Sequence, residues 1–356
     1  MLPHVNKIVP IIGHTSILKH FAEQIKGGVL PHGLLFVGPK GVGKSTVAHQ
    51  LIYSLFNGRD LSSEINIEDP IFRRLINKSH ADFKHLQLES NEEGKAQQEI
   101  PLDVIRGVVH FLQTTPLEGG WRVVLIEDAD CLGRKAANAL LKSLEEPPPR
   151  TLLILCASQE QQMLLTLRSR CQRIVFKRLT DDEVRQVLGK YHSVADEELG
   201  LMTMFAEGSP GRAMMLLQLG GKQFYQEFLD ALLAAINGQH ALLVTFIEKY
   251  TQAQLDKEFD SYRAVGYFIS WWLGRYLLET YQEEEESLIL GDKQLKFEIL
   301  KRFPFKFWEQ HYHKINFFYH HPHAVGLERK YCLAIMMLGF IFGPKAYNEG
   351  IENEFR

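Results

Sequence analysis

The segment Gly38-Pro39-Lys40-Gly41-Val42-Gly43-Lys44-Ser45 constrains this chain more than any other. It fits G-x-x-x-x-G-K-[ST], a loop whose glycines let backbone N–H groups close around a phosphate. Leu34-Leu35-Phe36-Val37 before it reads as a short buried strand, and Thr46 to Ile52 after it reads as a helix. A strand–loop–helix of this kind turns the positive end of a helix toward an anion. Lys44 is expected to reach the β- and γ-phosphates of a nucleotide, and the Ser45 hydroxyl to ligate Mg2+.

At 356 residues the chain exceeds one core of common size, so two or three domains are expected. The net charge of −3 excludes a surface that grips nucleic acid all over, while leaving room for one basic face. Cys131, Cys156, Cys171 and Cys332 are scattered and form no C-x-x-C pair, which points to a reducing cytoplasm. Met1 to Lys7 carries no secretory pattern. The apolar run Leu333 to Phe342 is too short to cross a bilayer and reads as a buried helix, so no membrane association is expected.

The first half alternates strands and helices, as a parallel α/β sheet requires. Asn57 to Asp69 reads as a surface connection, Phe83 to Leu88 as a second strand and Asn91 to Gln98 as a loop. Pro101-Leu102-Asp103 opens a helix carrying Val104, Ile105, Val108, Val109 and Leu112 at helical spacing. Trp121 to Ile126 is a β-branched strand, and Lys135 to Glu146 an amphipathic helix with Ala136, Ala139, Leu140 and Leu144 on one face. Pro147-Pro148-Pro149 stops that helix, and Thr151 to Cys156 is the next buried strand. From about Leu179 the strand signal fades. Helical patterns then run nearly to the end, interrupted at Gly208-Ser209-Pro210-Gly211.

A phosphate loop of this type works with carboxylates at the end of a neighbouring strand, one for Mg2+ and one to polarise water. Ile126-Glu127-Asp128-Ala129-Asp130 supplies them. Leu167-Arg168-Ser169-Arg170-Cys171 offers two arginines suited to phosphate charge, and Gly208-Ser209-Pro210-Gly211-Arg212 offers a third at a helix start. Taken singly, the first segment reads better as a solvated surface and the second as a capped turn.

Taken together, the pieces resemble a family. The loop, Ile-Glu-Asp-Ala-Asp, the string Asn138-Ala139-Leu140-Leu141-Lys142-Ser143-Leu144-Glu145-Glu146-Pro147-Pro148, Ser169-Arg170-Cys171 and Gly208 to Arg212 occur in the order of the AAA+ subunits of bacterial DNA polymerase III clamp loaders, most closely the delta-prime type. Pro31-His32-Gly33, His80-Ala81-Asp82-Phe83, Ile105-Arg106 and Gly119-Gly120-Trp121-Arg122-Val123 support the match, which covers roughly residues 8 to 216.

That resemblance implies an α/β P-loop AAA+ domain with a parallel sheet and flanking helices over 1–178, a small helical lid over 179–221, and an all-helical C-terminal oligomerisation domain over 222–356. It implies that Gly38 to Thr46 cradle ATP and that Glu127 and Asp128 take the acidic-pair positions with Mg2+. Ser158 and Arg212 would be nucleotide sensors, and Arg170 a finger reaching a neighbouring subunit's nucleotide. The implied partners are the gamma/tau and delta subunits, the beta sliding clamp through the complex, and primed DNA without sequence preference. ATP binding would assemble the loader, and primed DNA would trigger hydrolysis and release.

Two departures from the family matter. The acidic pair commonly reads Asp-Glu, whereas here it reads Glu127-Asp128. The longer side chain would crowd Mg2+ and the shorter would stand off the water, so nucleotide binding with slow hydrolysis is expected. The four-cysteine zinc module common after the loop helix has no counterpart between Lys44 and Asp130, so no zinc is expected. A self-sufficient ATPase motor of the gamma/tau kind and a nucleotide-free scaffold are the rival readings.

Other features read as structural. His311, His313, His320, His321 and His323 fit no defined ligand motif. Glu283 to Glu286 reads as a solvated run, the aromatics from Phe303 to Tyr319 as core or subunit interface, and Cys171 as packing.

Overall fold

A computed structural model describes residues 11–61, 65–88, 99–118, 120–191, 195–252, 260–279, 295, 297–299, 301–320, 328–344 and 346. The polar segment 91–98, the glutamate run 283–286 and His321 and His323 lie outside these residues. The chain divides into two compact units, residues 2–193 with 206–212, and residues 194–205 with 213–356.

The first unit is built on five strands: β1 (Gly33–Val37), β2 (Phe83–Leu86), β3 (Arg122–Ile126), β4 (Thr151–Ala157) and β5 (Gln172–Val175). Their order is β2-β3-β4-β1-β5, and every pairing is parallel. Parallel strands need crossovers, and helices supply them: α2 (Lys44–Asn57), α3 (Pro70–Ile76), α4 (Leu102–Gln113), α5 (Arg134–Glu145) and α6 (Leu165–Arg168), while α1 (Thr15–Lys26) precedes the first strand and α7 (Asp181–Tyr191) follows the last. The sheet is buried on both faces, which explains its continuous apolar runs. Leu34 and Phe36 join Phe21, Val47, Ala48 and Leu51 on one face, while Leu35 and Val37 join Ile105, Val108, Leu140 and Leu144 on the other. The period of two along β1 thus sorts α1 and α2 to one side and α4 and α5 to the opposite side.

Two elements escape the sequence pattern. The edge strand β5 buries only Ile174, while Arg173 and Val175 stay exposed, so its hydrophobic signal is that of one residue. Helix α3 begins at Pro70, where the Asp69 side chain accepts a hydrogen bond from the Ile71 N–H at 2.8 Å. In α4, Ile105, Val108 and Leu112 face the core and Val104 is exposed.

Below the sheet's N-terminal edge, Arg122 and Asp82 form a buried ion pair at 3.0 Å. The Asp82 carboxylate also accepts the Leu117 and Glu118 N–H groups, each at 2.9 Å. The Arg122 guanidinium bonds the Phe111 carbonyl at 2.6 Å and lies 4.5 Å from the Phe111 ring centroid.

The second unit is helical: α8 (Asp196–Ala206), α9 (Pro210–Leu219), α10 (Lys222–Ile236), α11 (Ala241–Gln252), α12 (Ser261–Glu279), α13 (Phe305–His320) and α14 (Arg329–Phe342). The first residues of α9, Pro210 to Arg212, belong to the first unit. An aromatic core holds the helices together: Phe224 against Phe268 at 4.9 Å, Phe228 against Trp272 at 5.3 Å, and Phe340 against Trp272 and Trp308, each at 5.8 Å. Of the aromatics between 303 and 319, Phe307, Trp308, Phe318 and Tyr319 enter this core, whereas Phe305 and Phe317 are exposed. His311 is buried against Phe340, which with the approach of Gly339 pushes its pKa down to about 3 through loss of solvation, and His313 is exposed. His311 and His313 therefore sit in different surroundings. No helix among the described residues is long and apolar enough to cross a membrane.

Candidate functional site

The C-terminal ends of β1, β3 and β4 converge on the segment Gly38 to Ser45. Gly38 leaves β1 with its N–H bonded to the Ala157 carbonyl at 3.3 Å, and a Cβ there would stand 2.5 Å from the Phe176 carbonyl oxygen. Backbone cannot yield as a side chain tip can. Gly38→Ala is therefore expected to cost about 1–3 kcal/mol through local overpacking, read by chemical denaturation. Gly41 and Gly43 have φ values of 80° and 110°, in the left-handed region that glycine alone enters freely. These turns leave the first N–H groups of α2 at the mouth of the loop, where an anion would be held.

Lys44 is buried, and its ammonium bonds the Gly38 carbonyl at 2.6 Å, the Pro39 carbonyl at 2.9 Å and the Ser158 hydroxyl at 3.4 Å. Burial pulls its pKa below the ordinary lysine value, against the opposing pull of Asp130 and Asp128. Ser158 is held in turn by Asp130, whose carboxylate accepts the Ser158 and Gln159 N–H groups at 3.0 and 2.8 Å. Lys40 is exposed, Val42 is buried, and the Val42 carbonyl meets the His14 ring nitrogen at 2.9 Å.

The acidic end of β3 splits into two environments. Glu127 reaches the Ser45 hydroxyl with its Oε1 at 2.7 Å and the His85 Nε2 with the same oxygen at 2.8 Å. Burial alone would raise the Glu127 pKa; the hydrogen bond and charge of His85, then His49 and Ser45, outweigh it and hold the value at about 2. Asp128 instead turns the chain, with φ 52° and ψ 41°, and its carbonyl accepts the Cys131 N–H at 2.8 Å. A residue in that conformation is strained unless its surroundings hold it there.

Ser45 and an ionised Glu127 are hard oxygen donors, a set that suits Mg2+ when phosphate oxygens and water complete the shell. The glycine turns, the buried ammonium and this donor pair fit a magnesium nucleotide. Among the described residues, no group of three or more His, Cys, Asp or Glu side chains is arranged to hold a metal by itself.

The start of α9 rests on the same loop. The Gly211 N–H bonds the Gly41 carbonyl at 2.9 Å. Arg212 is ion-paired to Glu207 at 2.7 Å, and Glu207 also meets Arg178 at 3.1 Å. Arg212 therefore stands beside the loop, whereas Arg170 does not. Arg170 precedes β5, its carbonyl lies 3.3 Å from where a Gly33 Cβ would be, and its guanidinium meets Glu145 at 2.6 Å and the Thr166 carbonyl at 2.8 Å. Gly33 opens β1 and Gly38 follows its end, so at about 3.3 Å per residue some 16 Å of strand separates Arg170 from its own chain's loop.

The structure thus brings Gly38 to Thr46, Glu127, Asp128, Ser158 and Arg212 to one edge and leaves Arg170 on the opposite edge. Cys171 is half-buried, and burial pushes its thiol up to about 12, as packing rather than reactivity requires. Sequence reasoning passes over His14, His49, His85, Arg178 and Glu207, and although it reads Asp130 among the strand-end carboxylates, it misses that residue's hold on the Ser158 and Gln159 amides. For His85 a signal exists: it stands two residues from Phe83, on the same face of a strand, where a polar ring is unusual.

The family described as DNA polymerase III, delta subunit, matches residues 13–180. The DNA polymerase III subunit delta' of Pseudomonas aeruginosa is 30% identical over 267 residues, 73% of this chain and 76% of that protein. The DNA polymerase III subunit gamma of Buchnera aphidicola is 29% identical over 244 residues, 66% of this chain and 65% of that protein. The chain spans only 36% of the tau subunit of Bacillus subtilis, with 27% identity over 215 residues. Among solved structures, a DNA polymerase III gamma subunit-related protein from Thermotoga maritima aligns with a TM-score of 0.47 and 17% identity, over 91% of this chain and 98% of that one.

Proposed function

The chain belongs to the clamp-loader AAA+ family of bacterial DNA polymerase III, and we propose that it acts there as a delta-prime-like subunit: it binds ATP with Mg2+, hydrolyses it poorly and lends Arg170 to a neighbour. The observation that carries this reading is the separation of Arg170 from its own loop. An arginine on the opposite edge serves a nucleotide only in another subunit, and its planar, permanently charged fork suits that task. Glu145 and the Thr166 carbonyl hold the side chain at the surface, which lowers the entropy lost on docking.

In the chain's own site, Lys44 and the glycine turns bind phosphate, Ser45 and Glu127 hold the metal's shell, and Ser158 and Arg212 line the far side. Asp128 is the carboxylate left to orient water, and it is one methylene shorter than the glutamate common at that position. Poor hydrolysis follows from that shorter reach. Residues 1–178, 179–221 and 222–356 would serve as nucleotide domain, lid and oligomerisation domain. Gamma/tau and delta would be its direct partners in the cytoplasm, the beta clamp and primed DNA its targets, with DNA held by phosphate contacts alone.

The test combines two measurements. The chain alone is expected to bind a fluorescent ATP analogue at micromolar concentration, to lose it in Lys44→Ala, and to turn ATP over far below the ~10 per second typical of enzymes. Added to the other loader subunits, it is expected to restore clamp loading onto primed DNA. A chain that fails to restore loading is no loader subunit. The 29% identity to a gamma subunit, with the complete loop motif, favours a motor as the second reading; brisk turnover by the chain alone would establish it.

A further inference from the structure

Four residues from three elements meet beneath the loop: Ser45 and His49 on α2, His85 on β2 and Glu127 after β3. The strand register brings them together. His85 stands opposite Leu125 in the parallel pair, and Glu127 follows Leu125 by two, so both side chains leave the face that α2 covers. We propose that His85 is a positioning residue for the metal shell: it pins the long Glu127 side chain back so that its carboxylate stays on the Ser45 hydroxyl. This rests on the reading of the site as one for a magnesium nucleotide.

The hydrogen inventory supports it. The His49 Nδ1 lies 2.8 Å from the Ser45 carbonyl, which can only accept, so that nitrogen carries a proton and donates. It cannot then take the proton of the Ser45 hydroxyl 3.4 Å away, and that hydroxyl donates to Glu127 at 2.7 Å. His85 Nε2 lies 2.8 Å from that same Oε1, which already accepts the Ser45 hydroxyl and has no hydrogen to give, so Nε2 is the donor of this contact. With its proton spent on Glu127, the Ser45 oxygen presents only lone pairs to the mouth of the loop, the state a metal ligand needs. An aspartate would reach Ser45 from this strand end unaided. Glutamate has an extra methylene and an extra torsion, and the His85 clamp removes that freedom. His85 is itself fixed by its ring contacts with His49 at 5.3 Å and Phe83 at 6.1 Å.

The experiment titrates Mg2+ against binding of a fluorescent ATP analogue to the full chain, beginning in EDTA. In His85→Leu the affinity in EDTA is expected to stay within about twofold of wild type. The Mg2+ concentration for half-maximal tightening should rise about tenfold, the usual loss when a partner orienting a metal ligand is removed. Adding Glu127→Asp to His85→Leu should restore the wild-type requirement, which repair of a merely structural defect would not do. His85→Phe keeps the ring packing without the donor and should behave as His85→Leu, covering the case in which the smaller side chain unfolds the strand. Mg2+ titrations of both variants that superimpose on wild type overturn the proposal, as does an equal loss of affinity in EDTA and in Mg2+. Failure of the wild-type chain to bind the analogue in either buffer overturns both the proposal and the nucleotide-site reading beneath it.

Discussion

Arg170→Ala in a reconstituted loader is expected to abolish clamp loading onto primed DNA, while Lys44→Ala in the same chain leaves most of it. An arginine that stabilises charge on a transferring phosphoryl group is worth about a thousandfold or more in rate. If this chain lends such a group, its loss silences the neighbour's site although nothing in the neighbour has changed. On the proposed reading the chain's own nucleotide would be hydrolysed slowly and would not be the source of the cycle. Pre-steady-state ATPase and loading assays on the two variants separate the cases. The reverse pattern, Lys44→Ala crippling and Arg170→Ala tolerated, would mean that the chain spends its own ATP. Arg170 is half-exposed and its ion pair with Glu145 is at the surface, so its removal should leave the fold intact, which a melting curve checks.

The largest effect on stability is expected at Arg122. Removing one partner of a buried ion pair leaves an uncompensated charge, and Arg122→Ala should cost about 3–5 kcal/mol in denaturant-induced unfolding of the first unit. Burial alone would raise the Asp82 pKa, but the Glu118 and Leu117 N–H groups, then Arg122, overcome it and place it below the ordinary 3.8. A carboxyl depressed in the folded state stabilises fully above its unfolded value and loses that contribution as pH falls through the depressed one. Wild type should therefore lose stability below about pH 4, and Asp82→Asn should flatten that limb while lowering stability at neutral pH. A wild-type and variant pair with parallel acid limbs would show that Asp82 carries no such linkage.

Much of the first unit is legible in the sequence because its signals are local and its three central strands carry long apolar runs. Gly33–Val37, Arg122–Ile126 and Thr151–Ala157 are buried at every position, and the glycines of the loop adopt the backbone that only glycine takes readily. The edge strand Gln172–Val175 is not legible, since a strand that buries one residue looks like a loop. The polar framework beneath the loop is equally hidden. His85 and Glu127 are 42 residues apart, and only the parallel register makes them partners. Asp130 stands within a motif that can be read, yet its work on the Ser158 and Gln159 amides depends on β3 and β4 lying side by side. In the helical unit the period of 3.6 announces helices but cannot tell Trp308, wholly buried, from Phe305, exposed three residues earlier.

The opposed placement of Arg170 and the phosphate loop gives the first unit a polarity: on the proposed reading, a giving side and a receiving side. Contacts that join unlike sides are head-to-tail, and their repetition closes a ring or leaves an open arc according to the rotation at each step. In a ring every pocket is served. In an arc one end subunit keeps an unserved pocket and the other an unused arginine, so what a copy can do is decided by its address along the arc. If, as proposed, this chain hydrolyses its own nucleotide poorly and lends Arg170, the address that uses its arginine and asks nothing of its pocket is a terminus.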